Sequence, residues 1–187
     1  MTRSRKRSLI LGILVLLACV LAATRASAQG NDLINAAKKG DLPRVKALIA
    51  SGVDVNARDD GGMTALMNAS RNGHLDVVLV LLAAKAEVNA EDYHKSGTTA
   101  LMYACGSNRL AVVQTLLANG ADVNEKANDG WTALMTASSC GYLSVVEALL
   151  AKGADVNAKE KSHGWTALKL APNAEVEALL VRAGAKE

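Results

Sequence analysis

The sequence predicts an all-α fold, a solenoid of stacked helix-turn-helix units. Three observations carry that expectation. One string recurs: "GMTALMNASRNGHLDVVLVLLAAKAEVNA" returns as "GTTALMYACGSNRLAVVQTLLANGADVNE" and as "GWTALMTASSCGYLSVVEALLAKGADVNA". Thr64, Thr99, Thr132 and Thr166 mark the recurrence at spacings of 35, 33 and 34 residues, and self-similarity at such a period belongs to repeat architectures. Apolar residues sit at constant offsets from each Thr, three to four residues apart within each half-unit, as in short amphipathic helices. Glycine punctuates the units at matching places, where the chain must turn.

The first 28 residues stand apart from the repeats. Arg3, Arg5, Lys6 and Arg7 form a basic cluster, and Ser8 to Thr24 is an uncharged, mostly aliphatic run of 17 residues. Ala26-Ser27-Ala28 then places small residues at the −3 and −1 positions of a cleavage site. Together these compose a secretory signal peptide, with cleavage expected between Ala28 and Gln29. Seventeen residues lie at the short edge of a membrane span, so an anchor is disfavoured. Leu16-Leu17-Ala18-Cys19 resembles a bacterial lipobox with Cys19 as the acylated residue, although the apolar run continues past it. Removing 1–28 takes five basic residues and no acidic one from 21 Lys+Arg and 18 Asp+Glu, leaving 16 against 18. The mature chain is thus slightly acidic and the basic pI belongs to the leader. A nucleic-acid partner, which asks for a basic face and stacking aromatics, is not expected.

Each full unit then reads as a helix pair. Leu66, Leu101, Leu134 and Leu168 lie two residues after the Thr, and Ala69, Ala104, Ala137 and Ala171 five after. The second helices carry Val77-Val78, Val112-Val113 and Val145-Val146, then Leu81-Leu82, Leu116-Leu117 and Leu149-Leu150. Helices this short are not stable alone, so stacking must bury their apolar faces against the next unit. The Thr residues are suited to cap the first helices, offering an oxygen to free backbone N–H groups. Gly73 and Gly141, with Asn108 in the equivalent place, suit a left-handed turn between the helices. Gly52, Gly120, Gly153 and Gly184 terminate second helices. Lys85 takes that place in the second unit. It either adopts a costly positive φ there or lets the helix run on through Ala84. Asn56, Asn89, Asn124 and Asn157 read as loop-closing residues.

The ends differ from the middle. Asn31 to Asn56 aligns as a first unit without a preceding turn, with Asp41 placed to cap its second helix and Pro43 in that helix's first turn. The last unit is four residues shorter between its helices and is expected to carry Pro172 inside the first of them. The expected division is a signal peptide at 1–28 and one repeat domain at 29–187. Its units span about 31–59, 60–95, 96–128 and 129–162, with a truncated cap at 163–187.

This wording, at a period near 33, resembles the ankyrin repeat family over about residues 31–185. Where family members usually have Pro after the Thr, this chain has Ala65, Ala100, Ala133 and Ala167. The resemblance implies β-turn fingers between units and a concave groove bounded by the fingers and the first helices. It implies a non-catalytic module that binds another protein, and the chain looks like an exported bacterial member of the family. It also places the residue before each Thr on a finger, facing the groove. Here those residues are Met63, Thr98, Trp131 and Trp165. Arg71, Asn72, Tyr103, Ser107, Ser139 and Cys140 would join them from the first helices. Trp is favoured at binding hot spots, yet the indoles could equally serve only to cover aliphatic side chains.

Catalytic chemistry has little to stand on. No Gly-rich phosphate loop follows a strand and no nucleophile elbow is present. No cofactor is expected. The resemblance implies a structural role for His74, and His94 and His163 fall in separate inter-unit loops near Asp92 and Glu160 without the spacing of a metal site. Cys105 and Cys140 occupy different offsets in adjacent units. Units stack roughly 10 Å apart while a bridge needs Cα atoms within about 7 Å, so no internal disulfide is expected. A redox or stress-protective envelope protein using either thiol is the alternative reading.

Overall fold

The computed structural model describes residues 28–93 and 96–186, so the leader and His94 lie outside the described residues. Within them the chain forms ten helices in pairs. The first unit holds α1 (28–39) and α2 (Leu42–Ala50), so its opening helix begins before Asn31. The full units hold α3 (Ala65–Asn72) with α4 (Leu75–Ala83), α5 (Ala100–Gly106) with α6 (Leu110–Ala118), and α7 (Ala133–Ser139) with α8 (Leu143–Ala151). The last unit holds α9 (Ala167–Leu170) and α10 (Ala174–Arg182). Helices α3, α5, α7 and α9 pack successively into an inner layer, and α2, α4, α6, α8 and α10 into an outer one. Among the described residues no helix is long and apolar enough to cross a membrane.

The local chemistry follows the sequence. Oγ1 of Thr64, Thr99, Thr132 and Thr166 accepts the N–H three residues on, at 3.3, 3.4, 3.2 and 3.4 Å. Each cap satisfies one of the donors that a helix start leaves free. At the first pair Met67 Sδ also accepts from the Thr64 N–H, at 3.4 Å. Asp41 caps α2 with Pro43 in the first turn. Among the described residues Asn108 and Lys85 are the two non-glycine positions at positive φ, 53° and 67°. Lys85 therefore ends α4 in the strained conformation and does not extend it.

The core is one stripe running the length of the stack. Leu66, Leu101 and Leu134 are buried, as are all six paired valines. In each Leu pair the first member (Leu81, Leu116, Leu149) is fully buried and the second half-buried. Removing one such leucine would cost about 2–5 kcal/mol by the lost transfer energy and the cavity left behind. The last unit is thinner: Leu168 and Ala171 are only half-buried, and Val176 and Leu180 of α10 close the stripe.

One expectation is corrected. Pro172 is not inside a helix. The helix α9 stops at Leu170, and Ala171 is extended at φ −66°, ψ 122°. A residue before proline is pushed out of the α region by the pyrrolidine ring. Asn173 then caps α10, its Oδ1 accepting the Val176 N–H at 3.0 Å. The proline thus separates the two helices of the shortened unit.

Between units the Asn residues do more than close their own loops. Asn89, Asn124 and Asn157 each donate Nδ2 to the carbonyl of the glycine that ends the next unit's second helix. Each also accepts, through Oδ1, a backbone N–H two residues past that glycine. These amides are clasps between neighbours.

Candidate functional site

Each finger is built around a carboxylate that sequence reading did not single out. In the second finger, which leads into Thr64, Asp59 Oδ1 accepts the N–H groups of Gly61 and Met63, both at 2.9 Å. In the third, which leads into Thr99, Asp92 Oδ1 accepts the Thr98 N–H at 3.3 Å. In the fourth, before Thr132, Asp129 Oδ1 accepts the Trp131 N–H at 3.0 Å. In the fifth, before Thr166, Glu160 accepts from Ser162, His163 and Trp165. The residue before every repeat Thr is therefore held by its amide on a carboxylate. Its carbonyl accepts a backbone N–H from the other arm of the turn, from Asp59, Asp92, Ala127 or Glu160. An acidic residue in each finger was the available signal. Its varying distance from the Thr hid the pattern.

Adjacent fingers are also tied to one another. Arg58 Nη1 donates to the Gly62 carbonyl at 3.1 Å and to the Glu91 carbonyl, and its guanidinium lies 4.4 Å from the Tyr93 ring centroid. The Asn128 N–H donates to the Ser96 carbonyl at 2.5 Å. Lys161 donates its N–H to the Asp129 carbonyl at 2.8 Å and its Nζ to the Asn128 carbonyl at 2.9 Å.

A concave pocket of about 430 Å³ opens beside the third and fourth fingers. Five of the expected groove residues meet there: Arg71, Thr98, Tyr103, Ser107 and Trp131. Ser96, Met102, Asp129 and Thr136 line it too, unforeseen from sequence. Gly106 lines it as well, and a Cβ there would come within 3.2 Å of Thr136 Cγ2. The Tyr103 hydroxyl donates to Asp92 Oδ2 at 2.5 Å, and Arg71 lies over the ring at 5.9 Å from its centroid. Burial, then the bond to Asp92 and its charge, push the Tyr103 phenol well above its ordinary range, with Arg71 opposing. The phenol therefore stays a neutral donor that positions its ring. It is not poised as a base.

The other five expected residues do not line this pocket. Met63 is half-buried on the second finger and packs against the core. Asn72 turns its Nδ2 back to the Asn68 carbonyl at 2.8 Å, and Ser139 Oγ donates to the Thr136 carbonyl at 3.0 Å. Cys140 is exposed at the end of α7. Trp165 is 42% exposed and stacks on His163 of its own finger, ring centroids 4.7 Å apart. The two indoles thus have different settings. Trp131 is half-buried, packed on the core and in the pocket wall, whereas Trp165 stands free of the pocket.

The remaining candidates resolve locally. His74 Nε2 lies 3.1 Å from the Lys38 carbonyl, a contact between the first two units. Cys105 is fully buried, and burial pushes its thiol far above the ordinary range. A neutral, enclosed thiol is a poor nucleophile, so any thiol chemistry in the described residues falls to Cys140. Burial works to raise the Glu160 carboxyl. The N–H groups of Ser162, Trp165 and His163, with the nearby His163 ring, outweigh it and hold the group below its ordinary range.

The family model described as ankyrin repeats (3 copies) matches residues 33–127 and 120–186. No curated protein matches the chain.

Proposed function

Because this chain belongs to the ankyrin repeat family, whose members are generally non-catalytic protein-interaction modules, we propose that it is a binding scaffold that holds a partner protein along its concave groove. The observation that carries this reading is the pocket in which Trp131 meets Arg71, Thr98, Tyr103 and Ser107. A half-buried indole beside a tyrosine and an arginine combines the residue types enriched at binding hot spots. The fingers that present it are cross-tied, so little ordering entropy has to be lost on binding. The role belongs to the bacterial envelope, in the periplasm or outside the cell. The basic cluster, the aliphatic run and Ala26-Ser27-Ala28 support export.

Two measurements test the reading. Affinity capture from envelope fractions should retain a partner on the parent protein and lose it when Trp131→Ala is combined with Trp165→Ala. Far-UV circular dichroism and melting cooperativity should change little. If the double variant unfolds instead, the indoles serve packing and the groove assignment fails. Intact mass of protein from the native host should begin at Gln29. A mass beginning at an acylated Cys19 would replace the free product with a lipoprotein.

A further inference from the structure

We propose that the pocket between the third and fourth fingers takes an acidic side chain of the partner, with the carboxylate on Arg71 and the methylene stem against Tyr103 and Trp131. This rests on the groove reading above and specifies what the groove selects. Arg71 is the cation in the pocket wall. Among the described residues its guanidinium has no carboxylate within ion-pair distance and no hydrogen-bond acceptor; the ion pairs found are Arg44 with Asp32 and His163 with Glu160. The guanidinium lies over the Tyr103 ring, 5.9 Å from its centroid, which leaves its planar donors free, and a guanidinium fork matches a carboxylate.

Each acidic group nearby already accepts at least one backbone N–H, Asp59 included. Asp92 is buried, and its two oxygens accept the Tyr103 hydroxyl and the Thr98 N–H. Asp129 Oδ1 accepts the Trp131 N–H, and the residue sits two units away from Arg71, on the exposed fourth finger. One cation and one partly engaged anion in the same pocket suit a singly charged carboxylate over a doubly charged phosphoryl group. Tyr103, Trp131 and Met102 supply an apolar wall for the stem, which a bare inorganic anion could not use.

The test uses the full chain and three capped dipeptides, acetyl-Leu-Glu-amide, acetyl-Leu-Gln-amide and acetyl-Leu-Lys-amide, which differ in one side-chain charge. The readout is the Trp131 indole N–H resonance, assigned with Trp165→Phe. The Glu dipeptide should shift it and bind about three- to fivefold tighter than the Gln dipeptide, the effect of one screened ion pair. That contrast should shrink at high salt. It should vanish in Arg71→Gln and survive in Arg71→Lys. The inference is overturned if no dipeptide moves the resonance, if Gln or Lys binds as well as Glu, or if Arg71→Gln keeps the contrast. The groove reading fails separately, if the folded double tryptophan variant still captures the partner. Loss of the partner in that variant with no Glu preference would sink the acidic pocket alone.

Discussion

Asn89 reaches across 31 residues to Gly120, its Nδ2 donating to the glycine carbonyl at 3.1 Å. Its Oδ1 accepts the Asp122 N–H at 2.9 Å, so one side chain holds both sides of the turn that ends α6. Asn124 repeats the arrangement on Gly153 and Asp155, and Asn157 on Gly184 and Lys186. Asn56 shows the accepting half, from the Glu87 N–H at 2.8 Å. The turn it faces is the one where Lys85 stands in place of glycine.

Asn124→Ala should destabilise the stack by about 1–2 kcal/mol, the net worth of two exposed hydrogen bonds. Asn56→Ala should cost roughly half as much, since one bond is lost. Urea melts at equal m-value measure both. Equal costs at the two sites would show that the Lys85 turn is clasped as fully as the others.

Lys85→Gly should stabilise the protein. A Cβ built on Gly52, Gly120 or Gly153 meets nothing within 4 Å, so the cost of a side chain at this place is conformational and not steric. A left-handed Lys costs roughly 1 kcal/mol, and the greater freedom of glycine in the unfolded chain removes part of the gain. The net is a rise of a few tenths of a kcal/mol in urea melts. A lower midpoint would mean that the Lys85 stem makes a compensating contact.

Glu160 links the last finger to pH. Its carboxyl is held below the ordinary value of 4.5 in the folded chain, so its contribution is present above that value. It fades as the pH falls through the lower folded value. Glu160→Gln should therefore lower the melting temperature at pH 7 and converge with the parent in acid. Trp165, whose backbone N–H donates to this carboxylate, should show increased indole exposure in the variant at neutral pH. Curves that stay parallel down to low pH would dissociate the finger from the charge.

Thiol labelling should separate the two cysteines of the repeat domain. Iodoacetamide under native conditions should modify Cys140, which is exposed, and spare Cys105 until denaturant is added. Peptide mapping reads the sites. Native labelling of Cys105 would show that the α5 packing opens readily.

The architecture was legible in the sequence because every feature that defines it is local and recurs. The Thr caps, the valine pairs and the left-handed Gly73, Gly141 and Asn108 each announce a backbone event within a few residues. The Asn clasps were half-legible. The residues stood out, but their partners lie about 30 positions away, beyond any local pattern. Pro172 misled because a repeat alignment carries the helix forward through it, while the ring ends α9 at Leu170. The groove was legible as a row and not as a pocket. Trp131 and Trp165 share one sequence position, yet the cavity that Trp131 lines lies beside the third and fourth fingers, while Trp165 stacks on His163 of the fifth. The finger carboxylates were missed because Asp59, Asp92, Asp129 and Glu160 stand at differing distances from their Thr.

The ties between fingers give the groove a fixed pitch. Successive units repeat at about 10 Å, the separation of packed helices, and an extended chain advances about 3.3 Å per residue. Three residues of extended chain therefore match one unit. A chain laid along the fingers in the polyproline II conformation, with three residues per turn at about 3.1 Å each, would present every third side chain to successive gaps, and a helix every sixth or seventh at about 1.5 Å per residue. Arg58, Asn128 and Lys161, by locking neighbouring turns together, make the scaffold a ruler with graduations set by its own repeat length.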